Sequence, residues 1–160
     1  MRDLVDQLLK DWQNEEPKLD PTGLAVAGRI IRLGQQMQAS ANKALAPFGL
    51  SYTDFDLLAS LTRSGAPYAM TPTRLRDAVL LSSSAMTAAV DRLEKRGLIV
   101  RRPSSEDRRS MLVCLTDEGH ELVLEAAKVR FAEARTWSDR LDTDDLVDLI
   151  PLLKKLTVGT

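Results

Sequence analysis

Residues 82–116 read SSSAMTAAVDRLEKRGLIVRRPSSEDRRSMLVCLT, and two patterns meet inside them. Met86, Val90 and Leu93 fall at i, i+4 and i+7, the apolar stripe of an amphipathic helix. The opposite face carries Ser83, Ser84, Thr87, Ala88 and Asp91, all small or polar. Ser82 suits the N-cap of this helix, and Gly97 stands where a left-handed C-cap is wanted. Beyond Gly97, LIVRR is β-prone, PSSEDRR has turn chemistry, and SMLVCLT alternates toward a second strand. A polar-faced helix is thus followed at once by an Arg-bearing hairpin.

The flanking sequence is helical on both sides. Upstream, Ser51 caps a helix with Phe55, Leu57, Leu58 and Leu61 at helical intervals. RSGAPY reads as a loop, and Thr71 or Thr73 begins a short helix reaching about Val79. Leu4, Val5, Leu8, Leu9 and Trp12 give residues 3–13 helical spacing, and Asp20-Pro21 opens a long helix over 22–46 that PFGL ends. Downstream, Thr116 opens a helix running to about Ser138. A last helix begins near Thr143, with Leu146, Leu149, Ile150, Leu153 and Leu156 on one stripe. Pro151 interrupts that stripe and is expected to kink it. The expected fold class is mainly α with a small β-hairpin wing, the winged helix-turn-helix plan. Its second short helix suits a DNA major groove, and its hairpin lies beside the phosphate backbone or in the minor groove.

At 160 residues, 44% hydrophobic and 28% charged, the chain reads as one ordinary globular unit. The formal net charge is only −1, but the charge is unevenly spread. From Arg92 to Arg109 seven Arg or Lys stand against three acids, whereas residues 1–20 hold three bases against six acids and residues 117–148 four against ten. A basic patch between acidic ends fits a local nucleic-acid contact. There is no apolar run of membrane-spanning length and no signal-peptide core, so a cytoplasmic location is the expectation.

The single cysteine, Cys114, excludes an internal disulfide framework and is expected to pack in its strand. The single histidine, His120, leaves no pattern for a zinc site or a Cys–His pair. Asp142, Asp144 and Asp145 read as the acidic first turn of a helix, and no Gly-rich phosphate loop occurs. No enzymatic activity, metal or cofactor is expected.

The run LRDAVLLSSSAMTAAVDRLEKRGLIVRRPSSEDRRSMLVCLTDEG resembles the MarR family of bacterial transcription regulators. The resemblance rests on LSSSAMT, DRLEKRGLIVR, the Asp107-x-Arg109 pair and LTDEG in that order, and is specific from about Thr71 to Gly119. It implies a homodimer held by N- and C-terminal helices, each subunit offering one recognition helix and one wing to a palindromic operator, usually as a repressor. The DNA-binding lobe is expected at 48–118, with 1–47 and 119–160 as the helical dimerisation region. The apolar stripes of 22–46 and 143–157 exceed what one small lobe can cover, which suits a second copy.

On this footing Ser82 caps the recognition helix, and Ser83, Ser84 and Thr87 are the candidates for base-edge or phosphate hydrogen bonds. Thr71, Thr73 and Arg74 are placed at the backbone, with Arg108 and Arg101 or Arg102 adding phosphate contacts. The resemblance puts Arg109 in the minor groove or on phosphate, braced by Asp107. The alternative is a winged helix used for protein contact without DNA, which the Arg run at 101–109 opposes.

DWQNEEPKLDPTGLAVAGRIIRL and SYTDFDLLASLTRSGAPYAMTPTRL are similar to the urate-responsive branch, which has an extra first helix. That likeness implies effector contacts at Trp12 and Asp56. The Arg expected within MTxRxDRLE is Ala89 here, which removes the cation for an anionic purine. A small-molecule effector less anionic or more apolar than urate is the expectation.

Overall fold

The computed structural model describes residues 3–79, 86–104 and 111–157. The chain forms two compact units, Met1–Ser40 and Ala41–Thr160.

In the first unit α1 (Leu4–Glu15) folds against α2 (Thr22–Leu45). Asp3 and Asp6 make a reciprocal capping box at the start of α1, each carboxylate accepting the other's backbone N–H at 2.9 Å. Arg29 of α2 clamps both acids, at 3.0 Å from Asp3 and 2.6 Å from Asp6. The helices meet at Val5 and Gly28, where a Cβ on the glycine would sit 3.3 Å from a Val5 methyl. Asp20 caps α2 by accepting the Thr22 N–H at 2.9 Å.

The second unit takes in the last turn of α2, whose Ala41 and Leu45 are fully buried. A 3-10 turn (Ala46–Phe48) follows and ends on Gly49 at φ +63°, with Leu50 N–H reaching back to Leu45 O. Ser51 and Asp54 then form the capping box of α3 (Tyr52–Arg63), the centre of the core. Its Leu57, Leu58 and Leu61 are fully buried, each worth about 1.5–3 kcal/mol relative to exposure. Around it pack α4 (Pro72–Ala78), α5 (Met86–Lys95) and a small sheet, contributing Leu75, Ala89, Leu93, Ile99 and Val113. The compact unit thus begins before residue 48. It also extends past 118, because Val123 and Ala126 of α6 (Asp117–Ser138) belong to the same core.

The wing is three-stranded where the sequence predicts a two-stranded hairpin. β2 (Ile99–Pro103) and β3 (Met111–Leu115) pair antiparallel as expected. A two-residue β1 (Ala69–Met70) adds to the other edge of β3, giving the order β1-β3-β2. The strand fills the two residues between the RSGAPY loop and the helix expected from Thr71, for which the sequence predicts no element. Two residues carry no periodicity, and their pairing partners lie far along the chain.

Gly97 adopts φ +73° after α5, and the Leu98 N–H returns to Leu93 O at 3.0 Å, the expected left-handed cap. Thr116 closes the base of the hairpin, donating its hydroxyl to Gly97 O at 2.8 Å and accepting the Gly119 N–H at 3.0 Å. Gly119 is obligatory here, since a Cβ would stand 2.0 Å from the Leu98 carbonyl oxygen. The last helix, α7 (Thr143–Thr157), continues through Pro151 and buries no residue. Asp142 caps it by accepting the Asp145 N–H at 2.8 Å, as the acidic run suggests. No helix among the described residues is long and apolar enough to cross a membrane.

Candidate nucleic-acid interface

The two faces of α5 differ as the sequence requires. Ala89, Val90 and Leu93 are buried against the core and Met86 is half-buried, while Thr87, Ala88 and Asp91 face solvent. On α4, Thr71 is the N-cap, its hydroxyl accepting the Arg74 N–H at 3.3 Å. Thr73 and Arg74 are exposed in the first turn, and Leu75 behind them is fully buried. The burial of Leu75 turns that helix so that its first turn faces outward. Ser82, Ser83, Ser84, Asp107, Arg108 and Arg109 lie outside the described residues.

Among the described residues, the arginines of the basic run that begins at Arg92 divide into two groups. Arg92 donates to Asp54 Oδ1 at 2.8 Å, tying α5 to the capping box of α3. Arg96 donates to the carbonyls of Gly49 at 2.6 Å and Phe48 at 3.1 Å, closing the 3-10 turn. Arg101 on β2 is bound to Asp91 at 2.5 Å and also to Glu94, both on α5. These carboxylates hold the Arg101 guanidinium above its ordinary pKa range, the Asp91 hydrogen bond most of all. Arg102, one residue on, is exposed and has no ion pair with any described residue. Simple counting of charge therefore overstates what this segment offers a ligand. Three of its arginines serve the fold.

The two residues expected at an effector site lie in different units. Trp12 is 52% exposed and lines a cleft of about 410 Å³ with Leu9, Leu19, Pro21 and Leu24, all within the first unit. Asp56 is buried in α3, with an Arg63 nitrogen 3.8 Å from its carboxylate. It lines a cleft of about 200 Å³ between α3 and α6, together with Tyr52, Phe55, Arg63, Arg130 and Phe131. Arg130 lies 5.3 Å over the Tyr52 ring and pairs with Glu133 at 2.7 Å. Sequence reasoning missed Arg63 and Arg130, because nothing local marks two arginines as sharing a cleft. Ala89 is fully buried, so a longer side chain at this position would have to displace core atoms.

Cys114 is half-buried in the central strand, and His120 stacks on Tyr68 with centroids 4.5 Å apart. That ring contact ties the start of α6 to the residue that precedes β1. Among the described residues no group of three or more His, Cys, Asp or Glu could hold a metal ion.

Known proteins share this arrangement. The MarR family profile matches residues 48–110. The HTH-type transcriptional regulator PecS of Dickeya dadantii is 38% identical over 119 residues, covering 74% of this chain and 72% of that protein. The transcriptional repressor MprA of Escherichia coli is 30% identical over 121 residues, covering 76% and 68%. In fold, the chain resembles BpsR of Bordetella bronchiseptica, solved in a study of how 6-hydroxynicotinic acid regulates its DNA binding. That match has a TM-score of 0.75 at 23% identity and covers 84% of this chain and 94% of that one. The profile spans α3, α4, α5 and β2, and the PecS likeness extends over most of the chain. The chain belongs to the MarR family of transcriptional regulators.

Proposed function

We propose that this protein binds a palindromic DNA operator as a homodimer in the cytoplasm, acts there as a repressor, and releases the operator when a small molecule binds. The observation that carries the DNA reading is the pair of faces on α5. One face is locked into the core by Ala89, Val90 and Leu93, and the other presents polar Thr87 and small Ala88 beside a β-ribbon. Side chains as short as Thr87 and Ala88 let this part of the helix approach a groove closely. Thr71, Thr73 and Arg74 would meet the backbone at the start of α4. Ser82, Ser83, Ser84 and Thr87 would meet the groove, and Arg102, Asp107, Arg108 and Arg109 the flanking backbone or minor groove. Arg101 is left out of this set because Asp91 and Glu94 already hold it.

Dimerisation is supported by apolar side chains that the chain itself leaves open. On α7 these include Val147 at 64% and Ile150 at 53% exposure, and on α1 Leu4 at 59%. Repression is favoured by the likeness to MprA, and response to a small molecule by the fold shared with BpsR. The Trp12 and Asp56 clefts are the candidate effector sites. Trp12 offers an aromatic face among aliphatic side chains, which suits an apolar or aromatic molecule. The likeness to regulators rather than enzymes supports a role without catalysis.

Selection from a random duplex pool, followed by anisotropy titration of the winning sequence across salt, tests the reading. A palindromic winner that loses most of its affinity with Arg109→Ala is the expected result. Absence of enrichment, or equal binding of all sequences by wild type and variant, would overturn it.

A further inference from the structure

The carboxylates of Asp91 and Glu94 stand on the solvent side of α5, and Asp91 lies one turn beyond Thr87. Acids so close to a groove-facing helix repel phosphate unless something neutralises them. We infer that Arg101 is a positioning residue, which locks β2 to the recognition helix and screens these two acids from DNA. This rests on the DNA-binding reading above and assigns Arg101 a different part in it.

Three contacts carry the inference. The Arg101 guanidinium reaches Asp91 at 2.5 Å and Glu94 through its other terminal nitrogen, and its backbone N–H donates to Glu94 Oε1 at 3.2 Å. Glu94 thus holds the strand by its main chain and by its side chain together, fixing where β2 runs relative to α5. Strand alternation explains the choice of residue. Ile99, fully buried, and Arg101 share one face of β2, while Val100 and Arg102 share the other. The arginine on the α5 side becomes a brace, and its neighbour pairs with no acid among the described residues. A brace of this kind sets the spacing between helix and wing before any DNA arrives, so it acts on discrimination between sequences as well as on affinity.

The deciding variant is Asp91→Asn with Glu94→Gln in the full-length protein. Were Arg101 a phosphate contact, removing two nearby negative charges would release it and tighten operator binding. A brace predicts the opposite. Operator affinity should fall about tenfold, the ratio of operator to random-duplex binding should fall with it, and random-duplex affinity itself should hold or rise. Arg101→Glu should lose binding, and adding Glu94→Arg should restore part of it. Hydrogen exchange without DNA provides the separate arm, in which the Arg101 amide should exchange about tenfold faster in the double variant. Tighter operator binding by the double variant, or an unchanged exchange rate, overturns the brace. Should the wild-type protein bind no duplex at all, the functional reading fails, and the exchange rate still decides whether Arg101 holds the strand.

Discussion

Arg92 and Asp54, 38 residues apart in sequence, join α5 to the start of α3 through a 2.8 Å hydrogen-bonded ion pair. Asp54 is 6% exposed and already accepts the Ser51 backbone N–H at 3.0 Å and its hydroxyl at 2.7 Å. One carboxylate therefore caps one helix and anchors another. Arg92→Ala should destabilise the fold by about 1–2 kcal/mol, between the values for surface and buried pairs, since Arg92 itself is half exposed. Asp54→Ala should lose more, about 2–3 kcal/mol, because the cap goes with the ion pair. Urea midpoints at constant slope measure both, and equal losses would show that the cap contributes nothing.

Gly119 admits no side chain. A Cβ would stand 2.0 Å from a backbone oxygen of Leu98, which cannot swing aside as a flexible side chain would. Gly119→Ala should therefore destabilise the unit by about 3 kcal/mol, the upper end of overpacking effects. Thermal unfolding followed by circular dichroism reads this, and a wild-type midpoint would refute the close approach.

The docking of α1 should be acid-sensitive. The Asp3 backbone N–H, and after it Arg29, hold the Asp6 carboxyl below its ordinary pKa. A depressed folded pKa gives stability that is present above the unfolded value, about 3.9, and is lost as pH falls through the folded value. The contacts of Asp6 should thus persist at neutral pH and weaken only below about pH 4. Carbon-detected NMR titration of the Asp6 carboxyl checks the direction, and Asp6→Asn should remove that contribution to the acid transition.

Operator binding should depend steeply on salt. Three or four cations per subunit, drawn from Arg74, Arg102, Arg108 and Arg109, would give a dimer a log–log slope of roughly −5 to −7. Arg102→Ala should reduce the magnitude of that slope by about two, one phosphate for each subunit. A slope that does not change would remove Arg102 from the contact set.

Charge placed on α7 should separate the subunits. Ile150 and Leu153, 53% and 43% exposed, lie three residues apart on one face. Ile150→Asp with Leu153→Asp is expected to yield monomers in sedimentation velocity, and to lower operator affinity at least about a hundredfold by removing the second half-site. Retention of a wild-type dimer would place the interface elsewhere.

The sequence by itself determined whatever depends on near neighbours. Ser51, Thr116 and Gly97 announce their caps through partners within a few residues, and the stripe of Val90 and Leu93 marks the buried side of α5 by its spacing. Those local signals sufficed for the helices, the β2–β3 hairpin and the polar face that carries the family likeness. Only the tertiary structure decided which arginines are taken up by the fold. Arg92 meets an acid 38 positions away, Arg96 a carbonyl 47 away, and Arg101 the side chains of the preceding helix. It likewise decided the two-residue β1 and the cleft around Asp56, whose partners come from distant elements. A charge in sequence carries no record of what it will meet, because its partner is chosen by chain packing over distances that no local pattern encodes.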